Sequence, residues 1–141
     1  VYLATSYVYD EEMRQRVERH KSRRGDRWIS VEEPLSIGSA AVFKGTVLID
    51  CVTMWATNMF FEHGENVGKA LDVMKAEIGR LLDGSDATYI FVTNEIGMGG
   101  TSDNPMQRKF TDLQGMINRY IAGRAEEVYL LISGISVKIK G

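Results

Sequence analysis

The sequence predicts an α/β domain built on a mostly parallel sheet with helices on both faces. Continuous apolar runs of strand length recur at Val1 to Ala4, Thr46 to Ile49, Tyr89 to Val92 and Val128 to Ile132. Stretches with helical spacing lie between them, clearest at Val67, Leu71, Met74, Ile78 and Leu81, which share one helical face. Strands without polar alternation belong to sheets buried on both sides, because crossover helices cover them.

Size and composition bound the answer further. The 141 residues suit one domain, spanning 1–141, with a full core. Hydrophobic content of 44% and charged content of 26% are ordinary for a globular chain. A net charge of −2 argues against a whole-surface nucleic-acid binder. Cys51 is the only cysteine, so no internal disulfide forms and a reducing compartment is natural. No apolar run reaches membrane-spanning length and no signal peptide is visible, which makes the cytoplasm the expected location. The chain opens at Val1, directly on a strand-like run. Native domains rarely begin mid-strand, so further sequence is expected upstream.

In chain order, Val1 to Ala4 reads as a buried strand ending in Thr5-Ser6. Asp10, Glu11 and Glu12 place negative charge at the positive end of a helix that carries Met13, Val17 and His20 on one face. Gly25-Asp26 breaks that helix, and Arg27 to Val31 is extended up to Glu32-Glu33-Pro34. Leu35 to Phe43 is expected as a short helix. Asp50 to Thr53 follows the second strand, and Met54 to Phe61, apolar nearly all round, reads as a buried helix ending near His63-Gly64. The third strand runs into Thr93-Asn94-Glu95 and a glycine-rich turn. Pro105 opens a helix with Met106, Phe110, Leu113, Ile117 and Tyr120 as its stripe. Val128 to Ile132 is expected as a fourth strand, with Val137 to Lys140 as an edge strand.

The chemistry concentrates between Asp10 and Trp28. Arg14, Arg16, Arg19, Lys21, Arg23, Arg24 and Arg27 are seven of the 17 basic residues, and they surround one imidazole, His20. Cations stabilise phosphate oxygens while the ring stays neutral at pH 7. Neutral imidazole is also a nucleophile. The plain alternative is an amphipathic helix with a solvated arginine face and a half-buried histidine.

Ligands of such sheets bind beyond the carboxyl ends of the strands. Those ends are Thr5-Ser6, Asp50 to Thr53, Thr93-Asn94-Glu95 and Ser133-Gly134. Each has a structural alternative: Thr5-Ser6 as a turn cap, Asp50 as a helix cap, Glu95 as an arginine partner. Together they point to a phosphate-bearing ligand. An acidic residue ending an apolar strand is also the setting of a Mg²⁺ partner in nucleotide-binding folds, although no G-x-x-x-x-G-K-[ST] loop occurs in the chain. Cys51 reads as a small buried residue, and His63 as a helix-end residue. Trp28 and Trp55 read as core or interface. Two histidines and one cysteine without ligand spacing argue against a zinc site.

These residues resemble the bifunctional adenosylcobinamide kinase/adenosylcobinamide-phosphate guanylyltransferase family of cobalamin biosynthesis. The matching segments are YLATS at Tyr2 to Ser6, DEEMRQRVERHKSRR at Asp10 to Arg24 and W-x-x-x-E-E-P-L at Trp28 to Leu35. LIDCVTMWATN at Leu48 to Asn58, VTNEIGMG at Val92 to Gly99 and the run from Val128 to Lys140 follow in family order. The resemblance implies a three-layer phosphate-loop fold that assembles as a homotrimer. Here the family's first strand, phosphate loop and first helix are missing, and Gly100 to Asn104 departs from its usual Ile-Val-Pro. It implies His20 as the guanylylated residue. Nucleotide contacts would fall on Ala4, Thr5, Ser6, Lys21, Ser22, Arg23, Arg24, Glu32 and Asp50, with Asp50 on Mg²⁺. The implied substrates are GTP or ATP and adenosylcobinamide or its phosphate. A non-catalytic anion-binding scaffold and another kinase of similar fold are the competing readings.

Overall fold

Pairing of the short apolar runs builds the frame. The computed structural model describes residues 1–141. Strands β1 (Tyr2–Ala4), β2 (Ser30–Glu32), β3 (Thr46–Asp50) and β4 (Thr88–Val92) form one parallel sheet in the order β2-β1-β3-β4. The connections are helix α1 (Glu11–Arg24), a 3-10 segment at Ile37–Val42, then helices α2 (Val52–Glu62) and α3 (Val67–Asp83). Helix α4 (Pro105–Arg124) follows β4, and β5 (Val128–Ile132) and β6 (Ile135–Lys140) close the chain.

Local chemistry sets the helix starts. The Asp10 carboxylate accepts from Met13 N at 2.7 Å, Asn66 from Lys69 N at 3.0 Å, and Asn104 from Met106 N at 2.9 Å with Pro105 behind it. At α2 the cap is Cys51, whose Sγ accepts from Met54 N at 3.5 Å. Asp50 does not cap that helix; its side chain leaves on the opposite face of β3. Cys51 is half-buried, short of the full burial expected, and even this desolvation pushes its thiol above its ordinary pKa.

Strand alternation divides the sheet into two faces. Leu3, Val47 and Ile49 point inward and are fully buried with Val52, Trp55, Ala56, Met74, Ile78 and Leu81. Trp55 is core, and its Nε1 donates to Leu35 O at 2.8 Å. The weakly patterned Leu35 to Phe43 stretch forms only a 3-10 segment, tied to α3 by buried Glu77, whose Oε2 accepts from Gly38 N at 2.7 Å. A Cβ on Gly38 would lie 2.8 Å from that carboxylate, so the close approach requires glycine.

The other face carries Tyr2, Ala4, Leu48, Asp50, Ile90 and Val92. The end of α1 meets it through Arg24, whose guanidinium carbon stands 3.7 Å from the Tyr2 ring centre, and Trp28 packs edge-on to Tyr2 at 5.9 Å. Ile90 and Val92 remain 47% and 40% exposed.

Two expectations change. Helix α1 forms where the stripe predicts it, but none of its residues is buried; Met13 and Val17 are half-buried at most. Three apolar-side positions cannot anchor a helix bearing seven nearby cations. Second, β5 does not join the parallel sheet. It pairs antiparallel with β6 through Ser133 (φ 52) and Gly134 (φ 80), a two-residue turn of the type that suits hairpins. Closing so short a loop costs little chain entropy. Ser133-Gly134 therefore stands at a hairpin tip and not at the carboxyl edge of the main sheet.

Candidate functional site

Register places Glu32, Ala4, Asp50 and Val92 side by side as the last rung on one face of the sheet. Two carboxylates thus flank the small Ala4. Asp50 accepts a short hydrogen bond from the Tyr2 hydroxyl on Oδ2, and its other oxygen takes none. Burial first, and then that bond, drive the Tyr2 phenol well above its ordinary pKa of 10.0. Glu32 holds Lys21 at 2.5 Å, and this hydrogen bond raises the Lys21 pKa. The last turn of α1 is thereby fastened to this sheet face at two points, by Lys21 on Glu32 and by Arg24 on Tyr2.

Apart from Lys21, the cations of α1 and its exit divide into two groups. Arg14 and Arg16 pair with Glu11 and Glu12 at 2.5 and 2.6 Å, which is the solvated face the plain reading describes. Arg19, Arg23, Arg24 and Arg27 have no carboxylate partner. They flank His20 in the sequence, and His20 is exposed with a ring that makes no hydrogen bond within the chain. Arg24 donates through Nε to the His20 carbonyl at 3.1 Å, while its Nη1 is buried without an acceptor. A buried orphan guanidinium donor one turn along the helix from an exposed imidazole is a group that an anion could satisfy.

The remaining predicted residues are placed as follows. Thr5 is fully buried, and its hydroxyl donates to Cys51 O at 2.7 Å and accepts from Cys51 N at 2.9 Å, fixing the exits of β1 and β3 together. Ser6 is half-buried with no side-chain bond, and Ser22 donates to Arg19 O at 2.9 Å. His63 ends α2, as expected, through its backbone. No three His, Cys, Asp or Glu side chains cluster as a metal cage. Mg²⁺ on a nucleotide needs only one or two protein carboxylates beside the phosphates, and the free oxygen of Asp50 fits that demand.

Sequence reasoning passed over Asn58. It is 3% exposed, donating to Thr5 O at 2.7 Å and Pro34 O at 3.0 Å and accepting from the Tyr9 hydroxyl at 3.1 Å. It binds the β1 exit to the loop after β2. An amide within an otherwise apolar helix was the available signal. Thr93, Asn94 and Glu95 are held by Thr53, Gln114 and Asn118, so Glu95 does not pair with an arginine.

The family model for cobinamide kinase / cobinamide phosphate guanyltransferase matches residues 1–139. The chain belongs to this family. Its match includes α1, the carboxylate rung and most of the terminal hairpin. Similar relatives include the bifunctional adenosylcobalamin biosynthesis protein CobU of Escherichia coli (strain K12), 34% identical over 154 residues, covering 99% of this chain and 85% of that protein. The CobU of Salmonella typhimurium is 34% identical over 157 residues with the same coverage. CobP of Pseudomonas aeruginosa is 31% identical over 144 residues, covering 99% of this chain and 82% of the relative. No helix is long and apolar enough to cross a membrane.

Proposed function

We propose that this chain is an adenosylcobinamide kinase and adenosylcobinamide-phosphate guanylyltransferase in which His20 is the covalent nucleophile. The observation that carries the reading is the exposed, unbonded His20 ring among Arg19, Arg23, Arg24 and Arg27, none neutralised by a carboxylate. A ring nitrogen attacks the α-phosphorus of GTP. The bond to the bridging oxygen breaks, and pyrophosphate leaves with that electron pair. A phosphate oxygen of adenosylcobinamide phosphate then attacks the same phosphorus, and the N–P electrons return to the ring. The arginines neutralise charge on the leaving pyrophosphate, and one preorganised donor of this kind is worth about 10²–10³ in rate.

Lys21, Ser22, Arg23 and Arg24 on α1, with Ala4, Glu32 and Asp50 on the rung and Thr5 and Ser6 just past β1, bound the nucleotide in this reading. Asp50 is the residue suited to Mg²⁺, which would supply charge neutralisation to the phosphates. Tyr2 keeps the Asp50 side chain oriented. The phosphorylation half, with GTP or ATP as donor, draws on the same carboxylate edge. One nucleotide-binding domain over 1–141, a homotrimer and a cytoplasmic location complete the reading, which for these points rests on the family resemblance.

The test is covalent labelling. Protein incubated with GTP labelled at the α-phosphate, in Mg²⁺, is expected to retain acid-labile, base-stable label and to release pyrophosphate; His20→Ala is expected to retain none. Label persisting in His20→Ala refutes the nucleophile, and nucleotide binding without pyrophosphate release supports a scaffold instead.

A further inference from the structure

The exit of β4 carries a polar assembly that the guanylyl-transfer reading does not use. Asn118 on α4 is its hub. Its Oδ1 accepts from the Thr93 hydroxyl at 2.6 Å and from Gln114 Nε2 at 2.8 Å. Its Nδ2 donates to Asn94 O at 3.0 Å and to Glu95 Oε1 at 2.6 Å. Both lone pairs and both hydrogens of one amide are therefore occupied. Gln114, fully buried, donates also to Thr93 Oγ1 at 2.9 Å and leaves its own Oε1 without a partner. Asn94 is clamped in turn to Thr53 Oγ1, through its backbone N at 3.2 Å and Nδ2 at 2.9 Å. Thr53 is the second residue of α2, three residues after Asp50.

This assembly aims one group. Of the carboxylates at the carboxyl edge, Glu32 is neutralised by Lys21, Glu33 receives the backbone N–H groups of Leu35 and Ser36, and Asp50 receives Tyr2. Glu95 has no cationic partner; Asn118 fixes one oxygen and the other is open to solvent. A merely solvated surface carboxylate needs no five-residue amide and hydroxyl scaffold. A carboxylate that must accept a proton in a set direction does.

We propose that Glu95 is the general base of the phosphorylation half-reaction, and that Asn118 is its positioning residue. The proposal rests on the kinase assignment above and is independent of the role of His20. The alcohol oxygen of the cobinamide acceptor attacks the γ-phosphorus of the nucleoside triphosphate. The alcohol proton passes to the free Glu95 oxygen, and the bond to the β-phosphate bridge breaks, with its electron pair leaving on the nucleoside diphosphate. A carboxylate takes the acceptor hydroxyl proton in the same way in the catalytic loop of protein kinases.

The experiment assays adenosylcobinamide phosphorylation and α-phosphate labelling from GTP side by side in the parent, Glu95→Gln, Glu95→Ala and Asn118→Ala. Loss of one general base lowers turnover by about 10²–10⁴, so Glu95→Gln is expected to lose phosphorylation at that scale while keeping parental labelling. Added formate is expected to restore part of the Glu95→Ala turnover, which no structural role of Glu95 would allow. Asn118→Ala is expected to lower phosphorylation with labelling intact. Phosphorylation in Glu95→Gln within about threefold of the parent overturns the proposal, as does a parallel fall of both activities. A parent that phosphorylates but takes no label refutes the His20 reading and leaves the Glu95 comparison fully readable.

Discussion

Asn58→Ala tests how the site is held together. In the native chain its two amide hydrogens satisfy carbonyls that are 53 and 24 residues away, those of Thr5 and Pro34. Thr5 is completely buried, and its carbonyl has no other acceptor bond, so truncation leaves it orphaned. A buried unsatisfied group costs about 1–3 kcal/mol. The Pro34 carbonyl is half-buried and loses less, because water reaches it. Removing the side chain from a helix position with 3% exposure adds a small cavity, while alanine's better helix propensity returns about 0.5 kcal/mol. The expected net loss is about 2–4 kcal/mol, a large share of the roughly 5–15 kcal/mol that holds a typical domain together. Asn58→Asp keeps the shape but presents oxygens to two carbonyls, so it is expected to lose at least as much at neutral pH. It should recover partly on acidification, when protonation restores one donor. Urea unfolding followed by circular dichroism measures both variants, and the Michaelis constant for GTP should rise because the β1 exit and the loop after β2 lose their common brace. A loss below about 0.5 kcal/mol in Asn58→Ala, or an Asn58→Asp as stable as the parent at neutral pH, would refute the reasoning.

Tyr2→Phe is expected to lower stability by about 1–2 kcal/mol at neutral pH through the bond to Asp50. Because folding raises the Tyr2 pKa above 10.0, its contribution is full below pH 10 and fades as the pH climbs toward the folded value. The gap between parent and Tyr2→Phe should therefore narrow in alkaline unfolding curves; a constant gap contradicts the assignment. Glu77→Ala orphans the buried Gly38 N–H and is expected to lose about 2–4 kcal/mol in the same assay, with Glu77→Gln milder because its carbonyl still accepts. Equal losses in the two variants would remove the bond from the account.

What the sequence determined by itself is the set of local properties. The period of α3, the acidic start of α1 at Asp10, Pro105 at the start of α4, the basic cluster around His20 and the acid ending β3 all depend on residues within a few positions of one another. They appear where expected. Family membership was legible for the same reason: it is carried by short ordered segments. The tertiary structure alone decided the partners. Tyr2 on Asp50, Asn58 on Thr5, Lys21 on Glu32 and Asn118 on Glu95 join groups 48, 53, 11 and 23 residues apart. It also gave the α2 cap to Cys51 and turned the expected fourth sheet strand into a hairpin. An apolar run encodes a tendency to be covered, and a carboxylate a demand for donors. Neither encodes which of several equivalent partners the folded chain will bring within reach.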